Sequence, residues 1–143
     1  VTIAAGGQTN ILGAFNGCFY TDTTGKPTWS KYWPASTTAT DAVAFVVDDP
    51  RVLFEAQEDS TNIGASWPAN RGANADFVST HAGSTKTGRS KQELDSDTIT
   101  NAAANMRIID VTTDPDNSDT ASANGNFICK INEGLYYDNV AGI

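Results

Sequence analysis

The chain has 143 residues, of which 39% are hydrophobic and only 18% charged, with a formal net charge of −8. That length is one domain, able to bury roughly 68–70% of the surface its unfolded chain exposes. The acidity opposes contact with phosphate backbones and anionic membranes, and no apolar run approaches the roughly 18 residues of a bilayer span, so neither nucleic acid nor a membrane is expected as partner.

Residues 11–20, ILGAFNGCFY, are β-like with Asn16-Gly17 in the middle. Asn-Gly between apolar segments marks either a tight hairpin or a bulge inside one strand. Residues 21–27 form a polar loop, and residues 28–34 gather Trp29, Tyr32 and Trp33. Residues 42–57, AVAFVVDDPRVLFEAQ, hold the densest apolar run. Val43, Phe45 and Val47 share one side of an extended chain, and Val52, Phe54 and Ala56 one side of the next. Asp49-Pro50 between them has turn chemistry, so the stretch reads as a β-hairpin with a four-residue loop or as a sharp corner between two strands.

Residues 58–75 are polar and Gly/Asn-rich around Trp67-Pro68, a long excursion of the kind that reaches a partner. Residues 76–79 read as a short strand and residues 81–90 as a Gly/Ser/Thr loop. Ser90 and Glu93 have capping-box spacing, which predicts one or two helical turns, with residues 101–105 extending them or forming loop. Residues 106–111, MRIIDV, read as a strand with Ile109 and Val111 facing one way. After the polar loop 112–125, residues 126–132 form the last strand, with Phe127, Cys129 and Ile131 alternating with Ile128 and Lys130. Residues 1–10, and residues 133–143 with Tyr136 and Tyr137, read as arms. Six to eight short strands and no helix fit for a crossover give an all-β fold: one domain over residues 1–143, a small antiparallel β-barrel or β-sandwich with long loops and at most one short helix.

Catalytic and metal-binding patterns are weak. Residues 114–119 are rich in Asp, but an EF-hand loop needs Gly at its sixth position and Glu at its twelfth, where Asp119 and Gly125 stand. His81 is the single histidine, with no nucleophile elbow near it. Gly83 and Gly88 match only the front half of a phosphate loop, since Arg89 follows. Neither catalytic residues, a metal nor a cofactor is expected. Cys18 and Cys129 read as two buried, reduced thiols, or as a disulfide worth ~4–5 kcal/mol in the chain-entropy model. Lys86, Arg89 and Lys91, with Arg71 as a possible fourth member, form a basic cluster suited to an acidic protein surface. Trp29, Tyr32, Trp33 and Trp67 offer a sugar platform, a protein interface or a core plug. These eight residues are the candidate contact set.

Several stretches resemble a family of structural proteins from tailed bacteriophages, especially phages of marine bacteria and cyanobacteria. They are Tyr32-Trp33-Pro34-Ala35-Ser36-Thr37-Thr38 running into residues 41–50 (DAVAFVVDDP), then Asn74-Ala75-Asp76, residues 84–90 (STKTGRS), Glu93-Leu94-Asp95, Arg107-Ile108-Ile109, Asp116-Asn117 and Ile131-Asn132. The resemblance covers most of residues 12–132, and its central motif is the specific part. It implies a virion component that decorates or cements the head shell, bound to the major capsid protein, with self-association as a trimer by analogy and no catalytic residues. Family members carry a further β-like stretch ahead of the segment matching Ile11, whereas this sequence starts at Val1, which fits a processed or partial N-terminus. No secretory leader pattern is found, so synthesis in the host cytoplasm is expected. The other reading is a virion surface module that grips host glycans through the aromatic cluster.

Overall fold

The structure is a computed structural model that describes residues 5–35, 38–100, 102–136 and 141–142. Residues 1–4 of the first arm, Ser36-Thr37 of the central motif, Asn101 and Tyr137 lie outside the described residues.

The fold is all-β. In chain order the elements are β1 (Ala14–Thr21), β2 (Pro27–Ser30), β3 (Val43–Val47), β4 (Phe54–Gln57), α1 (Asn62–Ala65), β5 (Asn74–Ala75), β6 (Phe77–Val78), β7 (Glu93–Leu94), β8 (Met106–Val111) and β9 (Asn126–Ile131). They form three antiparallel sheets, ordered β2-β1-β3, β4-β9-β8-β5 and β6-β7, and none closes into a barrel.

The β1–β2 turn is fixed by Asp22, whose carboxylate accepts hydrogen bonds from the Thr24 and Lys26 N–H groups and the Thr24 hydroxyl. Asn16-Gly17 is a bulge and not a turn: the β1–β3 register shifts between Phe15 and Gly17, and Gly17 takes φ +119°.

Residues 42–57 do not form a hairpin. β3 pairs with β1 while β4 pairs with β9, so the chain turns a corner and changes sheets. Asp49 holds the corner: its backbone carbonyl accepts from Val52 N at 3.1 Å and its carboxylate from Arg51 N at 2.9 Å.

The core lies on the second sheet. Phe127, Cys129 and Ile131 of β9 face inward and meet Met106 and Ile108 of β8, with Ile11, Ile63, Ala75 and Leu94 closing the cluster. The face expected for Ile109 is overturned by a bulge between Ile108 and Asp110. Ile109 is the extra residue, and Val111 thereby returns to the inward side opposite Phe127.

The excursion 58–75 also builds core. Ile63, Ala73 and Ala75 are buried within it, and α1 starts where the buried Glu58 carboxylate accepts from Ile63 N at 2.9 Å and Gly64 N at 3.2 Å. These bonds satisfy helix-start donors that Thr61, with no side-chain cap bond, leaves open. The capping box at Ser90–Glu93 yields no helix. Glu93-Leu94 pairs with β6, because burying Leu94 opposite Phe77 outweighs one local cap, and a 3-10 turn follows at Ser96–Thr98 with Asp95 accepting from Asp97 N.

The start of the C-terminal arm is tied in. Gly134 forms a parallel bridge with Ile11, and Leu135 N donates to Ile11 O at 3.0 Å. The buried Asn105 amide donates to Gln8 O at 2.8 Å and to Glu133 Oε2 at 3.3 Å, joining both ends to β8.

Cys18 and Cys129 are free and buried, on strands of different sheets. Burial pushes the Cys18 thiol up and the Cys129 thiol to about 12. At pH 8 the native protein should therefore resist iodoacetamide at both positions while the urea-unfolded chain takes two labels by mass spectrometry. Native labelling at the rate of an open thiol would contradict this burial.

Candidate functional site

The eight candidate contact residues separate into three places. Trp29 lies on the outer face of the first sheet, where cross-strand pairing sets Phe19 opposite both Trp29 and Val43, and Gly17 opposite Phe45. The missing side chain at Gly17 lets Trp29 and Phe45 meet over it, with ring centroids 5.1 Å apart at 43°. A Cβ on Gly17 would stand 2.7 Å from Trp29 Cζ2. The face is open: Trp29 is 52% exposed, Val43 53%, Phe45 45% and Phe19 42%. Val47 extends it at 37%. Five neighbouring apolar side chains on one sheet face make a patch on the order of a few hundred Å², at the upper end of what lone domains show. The side of β3 that Val43, Phe45 and Val47 share is thus the solvent side.

Tyr32, Trp33 and Arg89 come together elsewhere, in a groove of about 760 Å³ between the first and second sheets. The chain beyond β2 folds back over Cys18: Ser30 Oγ donates to Tyr32 O at 2.6 Å, and the Cys18 thiol reaches the same carbonyl at 3.4 Å. This turn sets Tyr32 and Trp33 along the groove. Residues 84–89 close its rim as a tight loop, with Ser84 N donating to Arg89 O at 2.9 Å and Gly88 N to Ser84 O at 2.8 Å. Lys86 lies within that loop and is exposed, and Lys91 follows it at φ +55°.

Trp67 and Arg71 belong to a third place. Trp67 packs on the core residue Phe127 at 5.7 Å, and the Arg71 guanidinium sits 5.4 Å above the Trp67 ring while bonding Asp110 at 2.7 Å. Trp67-Pro68 is a cis peptide. Arg71 is engaged there and does not join Lys86, Arg89 and Lys91, and the four aromatics form no single platform.

Among the described residues no group of three or more His, Cys, Asp or Glu could hold a metal ion. In the loop 112–125, Asn117 acts as a clamp, donating to Thr112 O and Asn126 O and accepting from Asn126 N. His81 Nδ1 lies 3.2 Å from Glu93 Oε2, and the Thr80 hydroxyl bonds both groups. Because the hydroxyl reaches the carboxylate directly, the imidazole is not interposed as a nucleophile's base would be.

Lys31, Phe15, Phe19, Val43, Phe45 and Val47 are the surface residues that sequence patterns did not single out for contact. Compared with protein-family models, with curated proteins and with solved structures, the chain matches none of them.

Proposed function

We propose that the protein is a non-catalytic structural module of a tailed-bacteriophage virion, one that decorates the head shell by docking on the major capsid protein. The observation that carries this reading is the exposed outer face of the first sheet, with Trp29 and Phe45 in tilted ring contact at its centre. Rigid aromatic anchors on a sheet form a protein-docking surface at low entropic cost, since the strands already fix them. A three-stranded sheet whose strands give only Cys18, Gly17 and Ser30 to the buried class also gains from a partner that covers it. The most specific part of the resemblance, residues 32–50, includes β3, which presents Val43, Phe45 and Val47 outward. Binding only the assembled shell stabilises that shell by mass action.

The test uses heads stripped of this protein. Added wild-type chain should co-sediment with them and raise the temperature at which they release DNA. A Trp29→Ser/Phe45→Ser chain should stay folded, with both thiols still protected, yet bind at least about tenfold more weakly, a modest loss for two interface aromatics. Wild-type protein that stays in the supernatant, or a double variant that binds as tightly, would sink the proposal.

A further inference from the structure

We infer that the groove between the first and second sheets is a binding site for a small amphipathic organic anion, an aliphatic chain or ring system ending in a carboxylate or sulfonate. This rests on a different surface from the docking face and stands or falls separately.

The volume of about 760 Å³ lies within the roughly 300–1,000 Å³ of small-molecule sites. Its apolar lining comes from Phe15 of β1, Trp33, and Phe54 and Ala56 of β4, with Met106 and Ile131 of the core at the groove as well. The apolar share of the lining is the larger one, which favours a ligand with a hydrocarbon body, while Ser84, Thr85, Ser90 and Gln92 border the groove as polar partners for its head.

Charge selects the head group. The titratable residues at the groove, apart from Tyr32, are Lys31, Arg89 and Glu55. Two cations against one anion give a local excess of positive charge in a chain of net −8. Neither Lys31 nor Arg89 is in an ion pair among the described residues. Their proximity is built in. Gly88, at φ +72°, packs so closely that a Cβ there would lie 2.6 Å from Lys31 Cβ and 2.8 Å from Lys31 O, which holds the backbone just before Arg89 against Lys31 at the same groove. A single anionic head is then met by two cations at the rim while its apolar body leaves water.

Sodium dodecanoate is the probe, titrated below its micelle concentration into the full chain with tryptophan fluorescence and calorimetry as readouts. Saturable one-to-one binding is expected. Lys31→Glu and Arg89→Glu, both at exposed positions, should each weaken it tenfold or more. Lys26→Glu, an equal charge change in the β1–β2 turn, should leave it within twofold. Ala56→Phe should abolish binding by filling the groove, and if that variant fails to fold the charge reversals decide alone. Absence of saturable binding, equal affinity for neutral dodecanol, or equal losses in Lys26→Glu and Lys31→Glu would each overturn the inference.

Discussion

Replacing Gly64 by alanine should destabilise the protein by about 3 kcal/mol or more, at the upper end of what overpacking costs. Gly64 is buried in α1, and a Cβ there would lie 1.7 Å from Thr120 O and 2.9 Å from Thr120 C. Backbone, not a pliant side chain, occupies the space. The Thr120 loop has little freedom to retreat, because Asn124 N donates to Ser60 O and Glu58 N to Gly125 O, both at 2.9 Å. The same Cβ would press on Glu58 Oε1 at 3.0 Å, disturbing the carboxylate that starts the helix. Against a total stability of about 5–15 kcal/mol for such domains, this loss is a large share. Gly25→Ala is the reference: φ is +82° but nothing lies within 4 Å, so only backbone strain of about 1 kcal/mol is expected. Urea midpoints of the two variants measure the difference. Equal costs would mean that the close approach to Thr120 is not present in solution.

The second large effect is a pH dependence centred on Glu58. Its carboxyl is fully buried, and burial raises its pKa above the ordinary carboxylate value despite the opposing hydrogen bonds from Ile63 N and Gly64 N; the nearby Asp59 charge raises it further. The folded state therefore favours the protonated form. Its contribution to stability is fully present below the unfolded value of about 4.3 and is lost as pH rises through the raised folded value. Exposed aspartates act in the opposite sense. Asp22, Asp41, Asp49 and Asp110 are held low, chiefly by hydrogen bonds from the Thr24 hydroxyl, the Thr21 hydroxyl, the Arg51 side chain and Val111 N, so their contribution is lost on acidification. Glu58→Gln isolates the buried group. The variant gives up one acceptor at every pH, a cost of about 1–3 kcal/mol. The wild-type advantage should be greatest in mild acid and shrink as pH rises above the unfolded carboxylate value. An advantage that grows with pH would mean that the two backbone donors outweigh burial.

Alternation located β8 and β9 because one side of each is apolar and meets a core. It could not orient β3, where Val43 to Val47 are apolar on both sides and only tertiary packing decides which side is wet. Bulges at Asn16 and Ile109 shift parity by one residue without a distinctive local pattern at the second position. The capping box at Ser90 was locally sound but lost to the burial of Leu94. Tyr32, Trp33 and Arg89 were visible as candidates, whereas Lys31 was not, since only the packing of Gly88 against it makes it part of a site.

The parallel bridge between Ile11 and Gly134 has a mechanical consequence. Two segments bridged side by side and running the same way, pulled from the leading end of one and the trailing end of the other, load that bridge in shear. Tension applied across the two ends of this chain would strain the Leu135–Ile11 bond and the Asn105 links to Gln8 and Glu133 together, instead of peeling them one after another.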